Sequence, residues 1–254
     1  MDDALFDVAG KRALITGSSR GLGLVFARAL AERGCQVILN GRTASALEEA
    51  AHRLAGLGGS VSASIFDVVD EAAVDEAIGK LEADGPIDIL VNNAGIQIRS
   101  ALESMPVDRW REIVDVNLTG AFLVARRVAR GMIPRRRGKI VNTCSVLSDL
   151  GRETSGPYAA TKGGLRTLTR AMAVDWARHN IQVNAIGPGY FVTEMTQSLK
   201  ENPEFDAWLT ARTPAERWGD PGELAGALIL FCSAASDFIS GQLLYVDGGI
   251  TISL

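Results

Sequence analysis

Short apolar runs alternate with stretches of helical periodicity along the whole chain, and this alternation constrains the fold more than any other feature. The runs are rich in β-branched residues and lack polar alternation, as in strands buried on both faces. The segments between them are long enough for helices that cross over between parallel strands. The sequence therefore predicts an α/β protein whose seven-stranded parallel sheet is flanked by helices. The predicted strands span 13–16, 36–40, 61–66, 87–91, 139–143, 181–186 and 243–246.

Composition and charge argue against several classes of partner. A net charge of −4 gives no overall basic field for nucleic acid, and the densest basic run, 135–137, is typical of a solvated loop. With three cysteines, two histidines and no CxxC pattern, the chain has too few ligands for a zinc or iron site, so we expect no metal. No apolar run approaches the roughly 18 residues of a membrane span, and the acidic start lacks a secretory signal. We therefore expect a cytoplasmic protein without a membrane partner.

A glycine-rich turn follows the first predicted strand and opens the first helical stretch. Its glycines stand at Gly17, Gly21 and Gly23, a spacing that differs from the G-x-G-x-x-G fingerprint. Glycines alone are equally compatible with a plain tight turn. The strand before and the helix after favour dinucleotide binding, because the turn lets the backbone approach a pyrophosphate that the helix N-terminus attracts. The pattern thus predicts a doubly wound fold of the Rossmann type.

Two arginines near this turn predict NADP rather than NAD. Arg20 lies in the turn and Arg42 follows the second strand, and no acid occurs between Gly34 and Leu47. An NAD site usually places an acid there on the ribose hydroxyls. Arginine instead suits the 2′-phosphate of NADP, although two solvated arginines are the alternative interpretation.

The residues Ser145, Tyr158 and Lys162 form a candidate catalytic set. Pro157 predicts the first turn of a helix, which places Tyr158 and Lys162 at i and i+4 on one face. Ser145 follows the fifth strand, whose carboxyl end faces the ligand crevice of such a sheet. Each residue alone has a plain structural interpretation, but their joint occurrence behind a dinucleotide turn favours proton chemistry at an alcohol or ketone.

The expected chemistry depends on the acidity of Tyr158. A free tyrosine has a pKa of about 10 and is a poor base at neutral pH. We expect the ammonium of Lys162 to lower that pKa, and the positive nicotinamide ring of an oxidised cofactor would act in the same way. A pKa of about 7 requires a shift of about 3 units, which corresponds to roughly 4 kcal/mol. Ser145 would donate a hydrogen bond to the substrate oxygen.

With these motifs the sequence resembles the short-chain dehydrogenase/reductase family over nearly its whole length. The combination is specific, although no single motif is. The matching elements are residues 16–23, 92–95, Asn117, Ser145, Tyr158 with Lys162, and Pro188 with Gly189.

The resemblance implies a role for individual residues. Asn117 would hold a water molecule that links Lys162 to a proton relay, which makes it the fourth catalytic residue. Asp67 and Val68 would flank the adenine. The implied cofactor-binding residues are Gly17, Ser19, Arg20, Gly21, Leu22, Gly23, Asn40, Arg42, Asp67, Val68, Asn93, Ala94, Gly95, Tyr158, Lys162, Pro188, Gly189, Phe191 and Thr193.

Within the family, several stretches are similar to members that interconvert D-gluconate and 5-keto-D-gluconate, commonly with NADP. They are residues 94–97, 144–146, 187–195, 212–219 and 246–254. Such a small-molecule substrate carries a carboxylate and hydroxyls, so its site needs a cation and polar donors. Arg99, Arg152 and Glu153 are the candidates beside Ser145, with simple exposure as the alternative.

Two other functions share part of these features. A 3-oxoacyl-carrier-protein reductase, or another polyol or ketone reductase, has the same catalytic set, but the former needs a basic patch and an acyl channel. A non-catalytic dinucleotide sensor often loses the tyrosine or the lysine, whereas both are present here.

We expect one dinucleotide-binding and catalytic domain over residues 1–254, because α/β domains often reach about 250 residues. Residues 190–215 contain a polar stretch and are a candidate substrate lid, with a fixed helical pair as the alternative. The resemblance also implies a homotetramer. Phe122, Leu123 and Val128 fit either an interface or an ordinary core.

Overall fold

The computed structural model describes residues 4–253, and within them one parallel sheet of seven strands forms the centre of the molecule. The spatial order is β3-β2-β1-β4-β5-β6-β7. The predicted doubly wound α/β fold is therefore confirmed, and predicted strand ends differ from the observed ones by at most two residues. The strands are β1 (Arg12–Ile15), β2 (Gln36–Gly41), β3 (Val61–Ile65), β4 (Ile89–Asn92), β5 (Gly138–Thr143), β6 (Ile181–Pro188) and β7 (Leu243–Val246).

Helices cover both faces of this sheet. Between α4 and α5 the residues Asp115–Thr119 form a π-helical turn. The helices are α1 (Gly21–Ala31), α2 (Ala44–Leu54), α3 (Glu71–Asp84), α4 (Val107–Val114), α5 (Gly120–Arg135), α6 (Gly156–Ala177), α7 (Gln197–Lys200), α8 (Pro203–Arg212) and α9 (Ala225–Cys232).

The absence of polar alternation in the strands is explained by two cores, one on each face of the sheet. Successive side chains of a strand point to opposite faces. In β1, Ala13 and Ile15 pack in the cluster that includes α1 and α9, whereas Leu14 packs in the cluster that includes α3 and α5. All three side chains are fully buried. Both faces must therefore be apolar.

The strand order places a crevice between β1 and β4. β1 pairs with β2 on one side and with β4 on the other, so the chain changes direction along the sheet at this point. Ligands of open α/β sheets bind outside the carboxyl ends of the strands at such a switch point. The segments after β1, β4, β5 and β6 all lie at this edge.

The basic run at 135–137 corrects one expectation. Its residues are exposed as expected, but Arg135 ends α5 and is not part of a loop. Arg135 donates to the carbonyl of Ile87 at 2.8 Å, and Arg136 takes a left-handed conformation that ends the helix. Pro134 lies in the last turn of this helix.

Among the residues that the structure describes, no helix is both long and apolar enough to span a bilayer. Of the three apolar residues considered for an interface, Leu123 and Val128 belong to the core, whereas Phe122 is 40% exposed.

Candidate active site

The glycine turn is held against the end of β4 by contacts that leave no room for side chains. A Cβ at Gly17, whose φ is +62°, would lie 2.8 Å from the Cα of Ala94. A Cβ at Gly23 would lie 2.3 Å from the carbonyl oxygen of Gly17. Glycine is therefore required at both positions, because the turn lies directly against the segment after β4 and against itself.

Hydrogen bonds from buried polar side chains hold the glycine turn in place. The Thr16 hydroxyl accepts hydrogen bonds from the backbone N–H groups of Asn93 at 2.9 Å and Ala94 at 3.0 Å. The Asn93 amide donates to the Gly17 carbonyl at 3.0 Å. Asn40 is 1% exposed, and its amide donates to the Phe66 carbonyl at 3.1 Å. Asn40 thus holds the backbone around the turn, and Thr16 is a structural member of the site that the sequence analysis did not single out.

The N-terminus of α1 opens into the same crevice. No described side chain caps it, because Arg20 at the N-cap position makes no capping bond. The first N–H groups of a helix lack intrahelical partners and carry the positive end of its dipole. This end of α1 can therefore bind an anion such as a pyrophosphate.

The two arginines predicted for the 2′-phosphate lie on the rim of the crevice, and each faces an acid. Arg20 pairs with Glu194 at 3.1 Å, and Arg42 pairs with Asp67 at 3.6 Å. Both arginine side chains are more than 70% exposed. Local spacing did not reveal these acids, because they come from the ends of β6 and β3.

The segment after β6 forms the other wall of the crevice. A Cβ at Gly189 would lie 2.7 Å from the Cα of Asp247, so this position also needs glycine. The Phe191 ring is buried, and its backbone bridges to Gly219. Thr193 donates its N–H to the Thr196 hydroxyl at 3.0 Å, which closes a tight turn.

The predicted catalytic side chains lie together at the start of α6 and the end of β5. Pro157 lies in the first turn of the helix, as expected, and Tyr158 and Lys162 share one face. Ser145 lies close enough to the Tyr158 phenol to lower its pKa, and the Lys162 ammonium lies 5.5 Å from the centroid of the Tyr158 ring. The spatial convergence of these three residues is therefore as expected.

Ser145 is held in place by its own turn. Its hydroxyl accepts a hydrogen bond from the Leu147 N–H at 3.1 Å, and its N–H donates to the Ser148 hydroxyl at 3.2 Å. This reciprocal pair is a capping box on the short helix after β5. The serine hydroxyl therefore has a defined position beside the tyrosine.

Asn117 lies fully buried in the π-helical turn. Its amide oxygen accepts from the Ile96 N–H at 2.7 Å, and its amide nitrogen donates to the Ile96 carbonyl at 2.9 Å and to the Thr161 hydroxyl at 3.2 Å. A Cβ at Gly95 would contact both Asn117 and Lys162. Single π-helical turns often occur at functional sites, and this one brings Asn117 close to the lysine.

The acidity of Tyr158 depends on burial as well as on nearby charge. Burial raises the pKa of Tyr158 to about 12, and the neighbouring Ser145 lowers it only in part. Burial also lowers the pKa of Lys162 from 10.5 to about 8. The Lys162 ammonium donates to the Thr143 carbonyl at 2.6 Å. The expectation counted the attraction of a neighbouring cation, and burial acts in the opposite direction because it desolvates both groups.

The candidate substrate residues lie on the loops after β4 and β5. Arg99 and Arg152 are half-buried, and Glu153 is exposed. Burial, and then the positive charge of Arg152, lower the pKa of Arg99. The Nε of Arg99 is buried without a hydrogen-bond partner among residues 4–253. Two guanidinium groups in mutual repulsion, with an unpartnered buried donor, form an arrangement that an anion would stabilise.

An aromatic cluster borders these arginines, and the sequence analysis did not predict it. Tyr190 packs with Tyr158 in a cluster that includes Phe205 and Trp218. The helices α7 and α8 form the segment expected to be a lid, and Leu209 of α8 is fully buried. Nothing in the spacing of these aromatic residues marks them as a cluster, because they come from separate helices and loops.

Comparisons with known proteins agree with this geometry. A family model described as enoyl-(acyl carrier protein) reductase matches residues 17–251. The chain is 51% identical to gluconate 5-dehydrogenase of Gluconobacter oxydans, over 98% of both chains. It is 50% identical to 5-keto-D-gluconate 5-reductase of Escherichia coli, over 98% of this chain and 99% of that one.

A solved structure is equally similar. The gluconate 5-dehydrogenase of Burkholderia cenocepacia, in complex with NADP and tartrate, superimposes with a TM-score of 0.96. It is 50% identical, and the match covers 99% of each chain. By fold, site and sequence, the chain belongs to the short-chain dehydrogenase/reductase family and is an oxidoreductase.

Proposed function

We propose that this protein is an NADP-dependent oxidoreductase that interconverts D-gluconate and 5-keto-D-gluconate. The observation that carries the proposal is the pair Arg99 and Arg152 beside the set Ser145, Tyr158 and Lys162. The arginines suit a substrate carboxylate, and the set suits proton transfer at an alcohol or ketone oxygen. Two relatives that are about half identical bear names for this reaction.

NADP fits the crevice at two places. The free N-terminus of α1 suits the pyrophosphate, and Arg20 and Arg42 suit the 2′-phosphate. We assign the residues given above as cofactor-binding to this crevice, and Asn40 would act by holding the backbone of the turn. When bound there, NADP would supply the hydride acceptor and its reduced form the hydride.

The proton chemistry is assigned to Tyr158. With its pKa near 12, the phenol is protonated at neutral pH and can donate a proton to a ketone oxygen. Ser145 is placed to hydrogen-bond the same oxygen. Lys162 supplies the positive charge that favours the phenolate once the proton has left. Asn117 lies where a water molecule could connect Lys162 to solvent.

The surroundings of the site complete the proposal. Residues 190–215 cover the substrate side of the crevice. We also infer a homotetramer, because Phe122, Val174, Leu244 and Phe238 are large exposed apolar side chains. All three cysteines are free and buried, which fits a reducing compartment such as the cytoplasm.

The description of the matching family model keeps an acyl-carrier-protein substrate as the second candidate. The two are separated by following the absorbance of NADPH with 5-keto-D-gluconate and with an acetoacetyl thioester. We expect turnover of the keto acid, and turnover of the thioester alone would replace our proposal with the second candidate.

We expect Tyr158→Phe to lower kcat at least 1,000-fold, because the substituted ring has no proton to transfer. The dissociation constant for NADPH, measured by fluorescence titration, should change by less than about threefold. A variant that retains full turnover would remove Tyr158 from the mechanism.

We expect Arg42→Ala to raise the KM for NADPH about tenfold or more, because one charge-assisted bond to the 2′-phosphate is lost. The KM for NADH should stay within about twofold, since NADH has no such phosphate. Arg53→Ala, an exposed arginine of α2, serves as the control. Equal losses with both cofactors would assign Arg42 to general stability.

We expect Arg152→Ala to raise the KM for D-gluconate about tenfold, with kcat nearly unchanged, because a carboxylate contact is lost in both ground and transition state. Arg111→Ala, on the exposed face of α4, should have no effect. Wild-type kinetics in Arg152→Ala would exclude it from the substrate site.

We expect Lys162→Met to lose turnover and to raise the free energy of unfolding at pH 7 by up to about 3 kcal/mol. The folded pKa lies near 8 and the ordinary value is 10.5, so the penalty of burying the ammonium is full below pH 8. It disappears as the pH rises through 10.5, so the two proteins should converge in urea titrations at high pH. A variant less stable than wild type at pH 7 would contradict this view of Lys162.

A further inference from the structure

Arg152 is held by aromatic groups and not by an acid. Its Nη1 lies 3.2 Å from the Tyr190 hydroxyl and can donate to that oxygen. The carbon at the centre of its guanidinium lies 6.0 Å from the centroid of the Tyr190 ring and 5.4 Å from that of Phe205. No carboxylate of residues 4–253 forms a salt bridge with it. The group therefore keeps its charge and most of its donors available.

The aromatic partners of Arg152 form a rigid shelf, defined here as Tyr190, Phe205 and Trp218. The ring centroids of Tyr190 and Phe205 are 5.7 Å apart, and the Trp218 ring meets Tyr190 edge-on at 5.9 Å. Such tilted contacts are favourable aromatic geometries. Trp218 is buried, so the shelf is anchored in the protein interior.

Asp206 of α8 links that helix to Trp218, the buried member of the shelf. This carboxylate accepts a hydrogen bond from the Trp218 indole at 2.6 Å and from the Lys200 ammonium at 2.7 Å. Both bonds fix the rotation of α8, and Phe205 lies next to Asp206 on that helix. The position of the Phe205 ring against Arg152 is thus set by a small polar network and not by the ring alone.

A shelf of this kind is needed because Arg99 repels Arg152. Arg152 is close enough to lower the pKa of Arg99. Within residues 4–253, neither arginine forms a salt bridge with an acid. An acid between them would hold Arg152 in place but would also compete with an anionic substrate. Aromatic faces attract a cation without neutralising it. The geometry therefore keeps the guanidinium in position while leaving it free for a carboxylate.

We propose that Tyr190 and Phe205 are positioning residues that set specificity: they hold Arg152 for the substrate carboxylate and so make the site prefer a sugar acid over the neutral polyol of equal length. This inference rests on the proposed function, in which Arg152 binds the carboxylate. It adds the reason why that arginine is poised before substrate arrives, which lowers the entropic cost of binding.

The test is a double-mutant cycle on the KM for D-gluconate. Tyr190→Phe removes the hydroxyl and keeps the ring, Phe205→Leu removes a ring, and Phe205→Tyr keeps it. We expect the first two variants to raise KM about threefold to twentyfold with kcat within about twofold, and Phe205→Tyr to match wild type. Phe6→Leu, at an exposed aromatic residue that belongs neither to the site nor to the inferred interface, is the control.

The cycle is completed by combining each substitution with Arg152→Ala. If the shelf acts through Arg152, neither Tyr190→Phe nor Phe205→Leu raises KM further in the Arg152→Ala background. A shelf that only stabilises the fold would instead lower kcat and add its full effect to that of Arg152→Ala, which would overturn the inference.

Failure of the inference can be told apart from failure of the proposed function. If Arg152→Ala raises KM but Tyr190→Phe and Phe205→Leu do not, the shelf has no positioning role and the carboxylate site stands. If Arg152→Ala itself leaves KM unchanged, the carboxylate site is refuted and the inference falls with it. Wild-type preference for gluconate over the corresponding hexitol should shrink in both shelf variants, and an unchanged preference would contradict the specificity role.

Discussion

The burial of Lys162 beside Tyr158 is the constraint on which the rest of the site depends. A lysine that is 3% exposed needs a polar partner, and the Thr143 carbonyl at the end of β5 supplies one. The approach is possible because Gly95 leaves space between Lys162 and Asn117. Desolvation raises the pKa of Tyr158 and lowers the pKa of Lys162, so it favours the neutral form of both groups. Burying these two groups lowers the stability of the folded protein, and the packing of the surrounding sheet offsets that loss.

The fold provides the rigidity that this arrangement needs. β4 and β5 are neighbours at the centre of the sheet, and the segments that follow them carry Asn93 and Ser145, respectively. Buried strands with helices on both faces move little, so loops at their carboxyl ends are held in a fixed relation. The Thr16 hydroxyl and the close contact between Gly17 and Ala94 bind the turn after β1 to the same edge. One edge of one sheet therefore presents a crevice for a dinucleotide and the proton-transfer groups together.

The proposed function requires that the substrate end of the crevice keep a cation available for an anion. Arg99 and Arg152 repel each other, and aromatic rings hold Arg152 without cancelling its charge. At the rim of the crevice the arginines are paired instead, since Arg20 and Arg42 each face an acid. Those pairs are exposed, so each contributes little to stability and can be exchanged for a phosphate at low cost.

The sequence by itself determined the sheet, the glycine turn and the Tyr158–Lys162 pair, because each is encoded locally. Strand burial shows in unbroken apolar runs, and the i, i+4 spacing fixes two side chains on one helix face. Only the tertiary structure decided that Asp67 and Glu194 face the arginines, that Tyr190 and Phe205 hold Arg152, and that burial raises the pKa of Tyr158. These depend on residues far apart in the chain and on how much water the packed fold excludes, and neither quantity is set by local spacing.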